Sequence, residues 1–200
     1  SAMMNGLKHG RVDFVMGSYF EEDRLDFARY SIPYRTEHTA VYYRKDLKQL
    51  EDVSNLEQLI EFLKTQPLRA AVIDEYAYGS EQLNKVMENP PASLTILPSQ
   101  SQKQSLEMTM KGQADIFLAN PVIVDRLMAN TALGQGIKKL RIKTPEIPVS
   151  ILFSKKIFSS AQVEAFNNHI KAMQEDKSLR SAEISFLLPA YLNITVNQTW

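Results

Sequence analysis

The side chains able to do chemistry are few and scattered. The chain of 200 residues has no cysteine, which removes disulfides, thiolate nucleophiles and Cys-ligated zinc. Its histidines, His9, His38 and His169, stand far apart, with no His-Glu-x-x-His spacing. No Gly-x-Ser-x-Gly elbow occurs either. Glu21-Glu22-Asp23 gathers carboxylates, but adjacent side chains point different ways and form a solvated face rather than an acid–base pair. Arg24 follows directly. Its planar fork can pair both oxygens of one carboxylate, and on local sequence alone that carboxylate belongs to Glu21, Glu22 or Asp23. Three further polar spots stand at chain reversals: Gly17-Ser18-Tyr19, Asp74-Glu75-Tyr76, and Asn120 before Pro121.

Composition narrows the class. Lys plus Arg equals Asp plus Glu at 23 each, and hydrophobic residues make up 44%, an ordinary globular balance. A neutral chain lacks the electrostatic footprint of a nucleic-acid binder or of a protein held on an anionic membrane. No apolar run is long enough to span a membrane. No basic-then-apolar signal segment opens the chain, whose first residues, Ser1-Ala2-Met3, read as the remnant of a tag.

Strand-like and helix-like runs alternate. Strands are expected over Val12–Tyr19, His38–Tyr43, Arg69–Glu75, Leu94–Leu97, Asp115–Ala119, Lys139–Lys143 and Val149–Ser154. Helices are expected over Asn55–Lys64, from about Ser80, over Gln102–Lys111 with Gly112 as its stop, from Pro121, and over Ser159–Asp176. In the last of these, Val163, Phe166, Ile170 and Met173 mark the expected buried face. A further helix is expected over Ser178–Leu188. Such alternation predicts an α/β architecture with mostly parallel sheets. Two joints also echo each other: Gly10-Arg11-Val12-Asp13 and Gly112-Gln113-Ala114-Asp115 each end a helix and enter a strand.

The segment Gly10-Arg11-Val12-Asp13, then Glu21-Glu22-Asp23-Arg24, then Tyr30-Ser31-Ile32-Pro33-Tyr34 resembles the signature of the family 3 extracellular solute-binding proteins. Three motifs match in order and spacing, strongly over the first 45 residues and more loosely afterwards. The resemblance implies a type II periplasmic-binding-protein-like α/β fold. Its two lobes are joined by two crossing strands, with a ligand clamped in the cleft and closure read by a membrane permease. Lobe 1 would hold residues 1–43 and 152–200, and lobe 2 residues 44–151, with His38–Lys45 and Val149–Lys156 as crossings.

In the family the Arg matching Arg24 grips the α-carboxylate of an amino acid, and Gly17, Ser18 and Tyr19 would supply a hydroxyl and backbone N–H groups beside it. In lobe 2 the turn holding Glu75 and Tyr76 departs from the family's Gly-Ser/Thr-Thr pattern, bringing negative charge where N–H donors are usual. Asn120 stands where the family has an acidic partner for the ligand ammonium. An amide can accept a hydrogen bond but cannot neutralise a cation. Either the ligand is not a plain α-amino acid or another group, such as Glu75, compensates. Asn120 also suits the cap of the helix at Pro121.

Family members begin with a βαβ unit that residues 1–9 are too short to supply. The resemblance therefore implies an N-terminally truncated chain with lobe 1 incomplete and a homodimer formed through its exposed sheet edge. The expected function is capture of an amino acid or similar small polar carboxylate for an ABC transporter permease, in the periplasm or outside the cell. No enzyme activity, cofactor, metal or nucleic acid is expected. The alternatives are a sensing domain of a signalling receptor and a non-catalytic binding domain of a peptidoglycan-cleaving enzyme.

Overall fold

A computed structural model describes residues 2–73, 78–129 and 134–182. In chain order its elements begin with α1 (Ala2–Lys8), β1 (Phe14–Ser18), β2 (Ala28–Tyr30), β3 (Arg35–Glu37) and β4 (Ala40–Arg44). Next come α2 (Leu56–Thr65), β5 (Leu68–Ile73), α3 (Glu81–Glu88), β6 (Leu94–Ser99) and α4 (Gln102–Met110). The rest are β7 (Ile116–Ala119), α5 (Pro121–Ala129), β8 (Ile137–Lys139), β9 (Ile147–Ser154) and α6 (Ser160–Glu175). The described residues form two compact units, 2–37 with 146–182, and 38–145.

The first unit is organised on β9. Strands β1, β2 and β3 all pair with it, each antiparallel. One face of this sheet buries Leu7 of α1 with Val15, Ala28 and Leu152. The Ser154 hydroxyl ties α1 in place by donating to the Leu7 carbonyl at 2.7 Å. On the other side, Phe153 packs against Phe158 and Phe166, each with ring centroids 5.0 Å away. Helix α6 starts from a capping box. The Ser159 hydroxyl accepts from the Gln162 N–H, and the Gln162 side chain accepts from the Ser159 N–H.

The second unit is a five-stranded sheet in the order β6-β5-β7-β4-β8. Alternation along its strands builds two cores. Val41, Tyr43, Ile116, Leu118 and Ala70 face Leu59, Leu63, Leu83 and Val86 of α2 and α3. Ala40, Tyr42, Phe117, Ala119 and Ala71 face Leu106 and Val124 of α4 and α5. Tyr42 stacks on Phe117 at 5.0 Å and its phenol donates to Asp125 Oδ1 at 3.0 Å. Burial, then the Asp125 charge and hydrogen bond, push that phenol's pKa up. Asn55, Ser80 and Ser101 each accept from an N–H in the first turn of α2, α3 and α4.

Several expectations change. The sheets are not mostly parallel. Only β5 pairs in parallel, with β6 and β7, while β4 is antiparallel to both its neighbours. The stretches expected to be crossings lie in β4 of the second sheet and β9 of the first, and the chain changes unit at 37/38 and 145/146. The strand expected over Lys139–Lys143 is β8, which pairs with β4 through Ile137–Lys139. Phe166 and Met173 are 42% and 39% exposed, because α6 buries only Val163, Asn167 and Ile170. Of the helix expected over Ser178–Leu188, residues 178–182 are helical and the rest lies outside the described residues.

The echoed joints agree in backbone and part in charge. Gly10 and Gly112 both take φ of +70°, the left-handed turn that ends α1 and α4. Asp13 is exposed. Asp115 is buried and accepts from Arg69 N at 2.8 Å, Nε at 2.9 Å and a terminal guanidinium nitrogen at 2.8 Å, with Arg44 at 3.2 Å. Its backbone bonds to Arg69 and Arg44 as well. One carboxylate thus locks β5, β7 and β4 together.

Candidate functional site

The candidate site in the first unit begins at a bulge. Val15 stands opposite Leu152 and Ser18 opposite Ser150, so β1 carries one residue more than β9 over that interval. Gly17 takes the left-handed turn this demands, at φ of +76°. The bulge turns the chain so that Ser18 is buried against β9 and Tyr19 leaves the sheet.

Tyr30, on β2, then fixes the segment that follows. Its phenol oxygen accepts from the Glu21 N–H at 3.0 Å. Its O–H proton is within reach of the Tyr19 carbonyl at 3.2 Å and the Glu21 carbonyl at 3.3 Å. Its ring packs on Phe20 with centroids 5.2 Å apart. One side chain therefore holds the backbone of Tyr19, Phe20 and Glu21.

A 3-10 turn over Glu22–Asp26 comes next and places Arg24. Its side chain, 19% exposed, pairs with Glu21 Oε1 at 2.7 Å, and the Glu21 side chain is 42% exposed. Among the described residues Arg24 has no other ion-pair partner. Glu21, Glu22, Asp23 and Asp26 surround this single cation in sequence.

A second polar group sits beside the bulge. Arg35 lies 3.7 Å from where a Cβ on Gly17 would stand. It donates through Nε to Glu37 Oε1 at 2.8 Å and through a terminal nitrogen to the Tyr34 hydroxyl at 2.7 Å. It is also ion-paired with Glu37. The Tyr19 hydroxyl donates to the other Glu37 oxygen at 3.1 Å. The sequence reading passed over this Arg35–Glu37 pair. The i,i+2 spacing that puts both on one face of a strand was the available signal, hidden because β3 is short. Two shallow hollows lie in this unit. One, of about 520 Å³, is lined by Tyr34, Arg35 and the end of α6, and the other, of about 450 Å³, by Phe20, Leu25, Arg29 and Tyr30. Arg24 lines neither.

Gly17, Ser18, Tyr19 and Arg24 thus belong to one unit, and Tyr30 and Glu21 connect Tyr19 with Arg24. Asn120 belongs to the second unit. Its N–H donates to Gln102 Oε1 at 3.1 Å, and its own Oδ1 accepts from the Val122 N–H at 3.0 Å, capping α5. Glu75 and Tyr76 lie outside the described residues. No group of three or more metal-ligating side chains occurs among the described residues, and no helix among them is long and apolar enough to cross a membrane.

No protein-family model matches the chain, and no curated protein sequence does. Solved structures do match. One is the putative binding component of an ABC transporter from Wolinella succinogenes, complexed with lysine (TM-score 0.73, 15% identity, 92% of this chain and 73% of that one). Another is the amino acid ABC transporter substrate-binding protein from Streptococcus pneumoniae bound to L-arginine (TM-score 0.71, 13% identity, 94% and 73%). A third is an ancestral amino acid-binding protein described as a precursor of cyclohexadienyl dehydratase (TM-score 0.70, 16% identity, 92% and 72%). The chain has the mixed α/β fold of the substrate-binding proteins of amino-acid ABC transporters.

Proposed function

We propose that the chain captures an amino acid or similar small polar carboxylate for an ABC uptake transporter, outside the cytoplasm and without chemical conversion. The observation that carries this reading is Arg24. Its side chain is 19% exposed with one described ion-pair partner, and it is presented on a segment that a bulge and a phenol hold in place. A guanidinium in that state offers its remaining donors to a ligand carboxylate. Gly17, Ser18 and Tyr19 contribute beside it, and in the second unit Glu75, Tyr76 and Asn120 remain the proposed contributors. The names of the structural neighbours, which bind lysine and arginine, support an amino-acid ligand.

The test is thermal stability against a panel of amino acids and small carboxylates, with Arg24→Ala alongside. A ligand at one hundred times its Kd raises stability by about 2.7 kcal/mol. The expected result is a rise with one ligand class that Arg24→Ala abolishes. A rise that survives in Arg24→Ala moves the carboxylate grip elsewhere.

The reading includes self-association through the first unit. Among the described residues β1 pairs only with β9, and Phe14 and Met16 on it are exposed. Sedimentation at two concentrations tests this, and a monomer at both overturns it.

A further inference from the structure

We infer that Glu21 is the partner of the ligand's ammonium group, so that the Arg24–Glu21 pair reads the whole head group of an α-amino acid. This rests on Arg24 being the carboxylate grip proposed above. An α-amino acid carries a carboxylate and an ammonium on one carbon. A site that reads both needs a cation and an anion side by side, and Arg24 and Glu21 are in contact at 2.7 Å.

Three observations support the assignment. First, the Glu21 backbone is fixed through its N–H by the Tyr30 phenol, so its carboxylate starts from a set origin while the side chain stays 42% exposed and reachable. Second, Asn120 already spends Oδ1 on the Val122 N–H, and an amide holds no charge to offset a cation. Asp115 is saturated by Arg69 and Arg44, and Glu37 by Arg35 and Tyr19. Third, Glu22, Asp23 and Asp26 place more negative than positive charge on the same short segment, a field that favours a ligand bringing an ammonium.

The energetics separate two roles for Glu21. A simple carboxylate that takes the remaining donors of Arg24 sets a second negative charge beside Glu21 with no cation to offset it. A zwitterion adds a pairing at each end: its carboxylate meets the remaining donors of Arg24 and its ammonium meets Glu21, so no charge goes without an offset. Glu21 therefore penalises plain acids and admits amino acids.

The experiment measures affinity by calorimetry for the proteinogenic amino acids, L-lysine and L-arginine among them. Each is paired with the acid that lacks its α-amino group. The proteins are wild type, Glu21→Gln, Glu21→Asp and Arg24→Ala, each first checked for a native thermal transition. Glu21→Gln is expected to lose about tenfold or more in affinity for the amino acid while binding the plain acid as well or better. Glu21→Asp is expected to recover part of the preference. Glu21→Gln that binds the amino acid unchanged or tighter overturns the inference and makes Glu21 a bystander or a competitor. Arg24→Ala that binds normally overturns the carboxylate grip itself, a separate failure. Wild type that binds no member of the panel overturns both.

Discussion

Two of the clusters that combine arginine with carboxylate, one taken from each unit, are built to opposite ends. Asp115 in the second unit faces two arginines and a backbone N–H, and its side chain is 11% exposed. Arg24 in the first unit faces one carboxylate from its own turn. In the first cluster every acceptor site of the carboxylate is used and the pieces joined are strands. In the second, donors are left over and the piece that carries them is a short turn braced from outside by Tyr30. The saturated carboxylate ties strands together, whereas the braced turn carries guanidinium donors with no described partner, and it is there that we propose the carboxylate grip.

The comparison is broken or sharpened by substitution, and the largest effect belongs to Asp115. Asp115→Ala leaves Arg69 without its carboxylate and Arg44 with Asp46 alone, and is expected to cost about 2–3 kcal/mol, read as a lower urea midpoint for the second unit. A loss below about 1 kcal/mol would erase the contrast. The same residue sets an acid limit. Burial raises its pKa, and the hydrogen bonds and charges of Arg69 and Arg44 outweigh that, so the net shift is downward. A depressed pKa contributes stability that is complete above the unfolded value of about 4 and is lost as pH falls through the folded value. Asp115→Asn is expected to flatten that acid limb in a pH series of thermal melts.

Tyr30→Phe removes the brace and leaves the Glu21 N–H without its acceptor. An expected cost of about 1–2 kcal/mol is accompanied by weaker ligand binding, although the phenol contacts only backbone. Gly17→Ala forces a Cβ into a left-handed turn and is expected to cost about 1 kcal/mol or more, measured by chemical unfolding. Smallest in stability is Arg24→Ala, at about 0.5 kcal/mol. An Arg24→Ala penalty approaching that of Asp115→Ala would place both clusters in the structural class.

What the sequence made legible follows the range of the forces involved. Helix starts and stops are local, so the starts near Asn55, Ser80 and Ser159 and the stop at Gly112 could be read directly. The core faces of β4, β5 and β7 were legible as apolar runs. Strand direction was not, because an apolar run does not record whether its neighbour is parallel. Strands β2 and β3 are three residues long and too short to show a period; they exist because β9 is there to pair with. At the site, Arg24 and Gly17 were legible from motif and turn chemistry. The Tyr30 brace and the Glu37–Arg35–Tyr19 group were not, since each joins residues from separate strands through side chains.

Strand β9 has a consequence for the order of events during synthesis. Among the described residues every other strand of the first unit pairs with β9, which leaves the ribosome only after the whole of residues 38–145. The second unit takes all its pairing partners from that intervening stretch. The nascent chain therefore completes the second sheet first, while β1, β2 and β3 wait as unpaired segments for a contact made across more than one hundred residues. Such a long loop closure is slow, and it makes the first unit the part of the chain most dependent on protection until translation reaches Ser154.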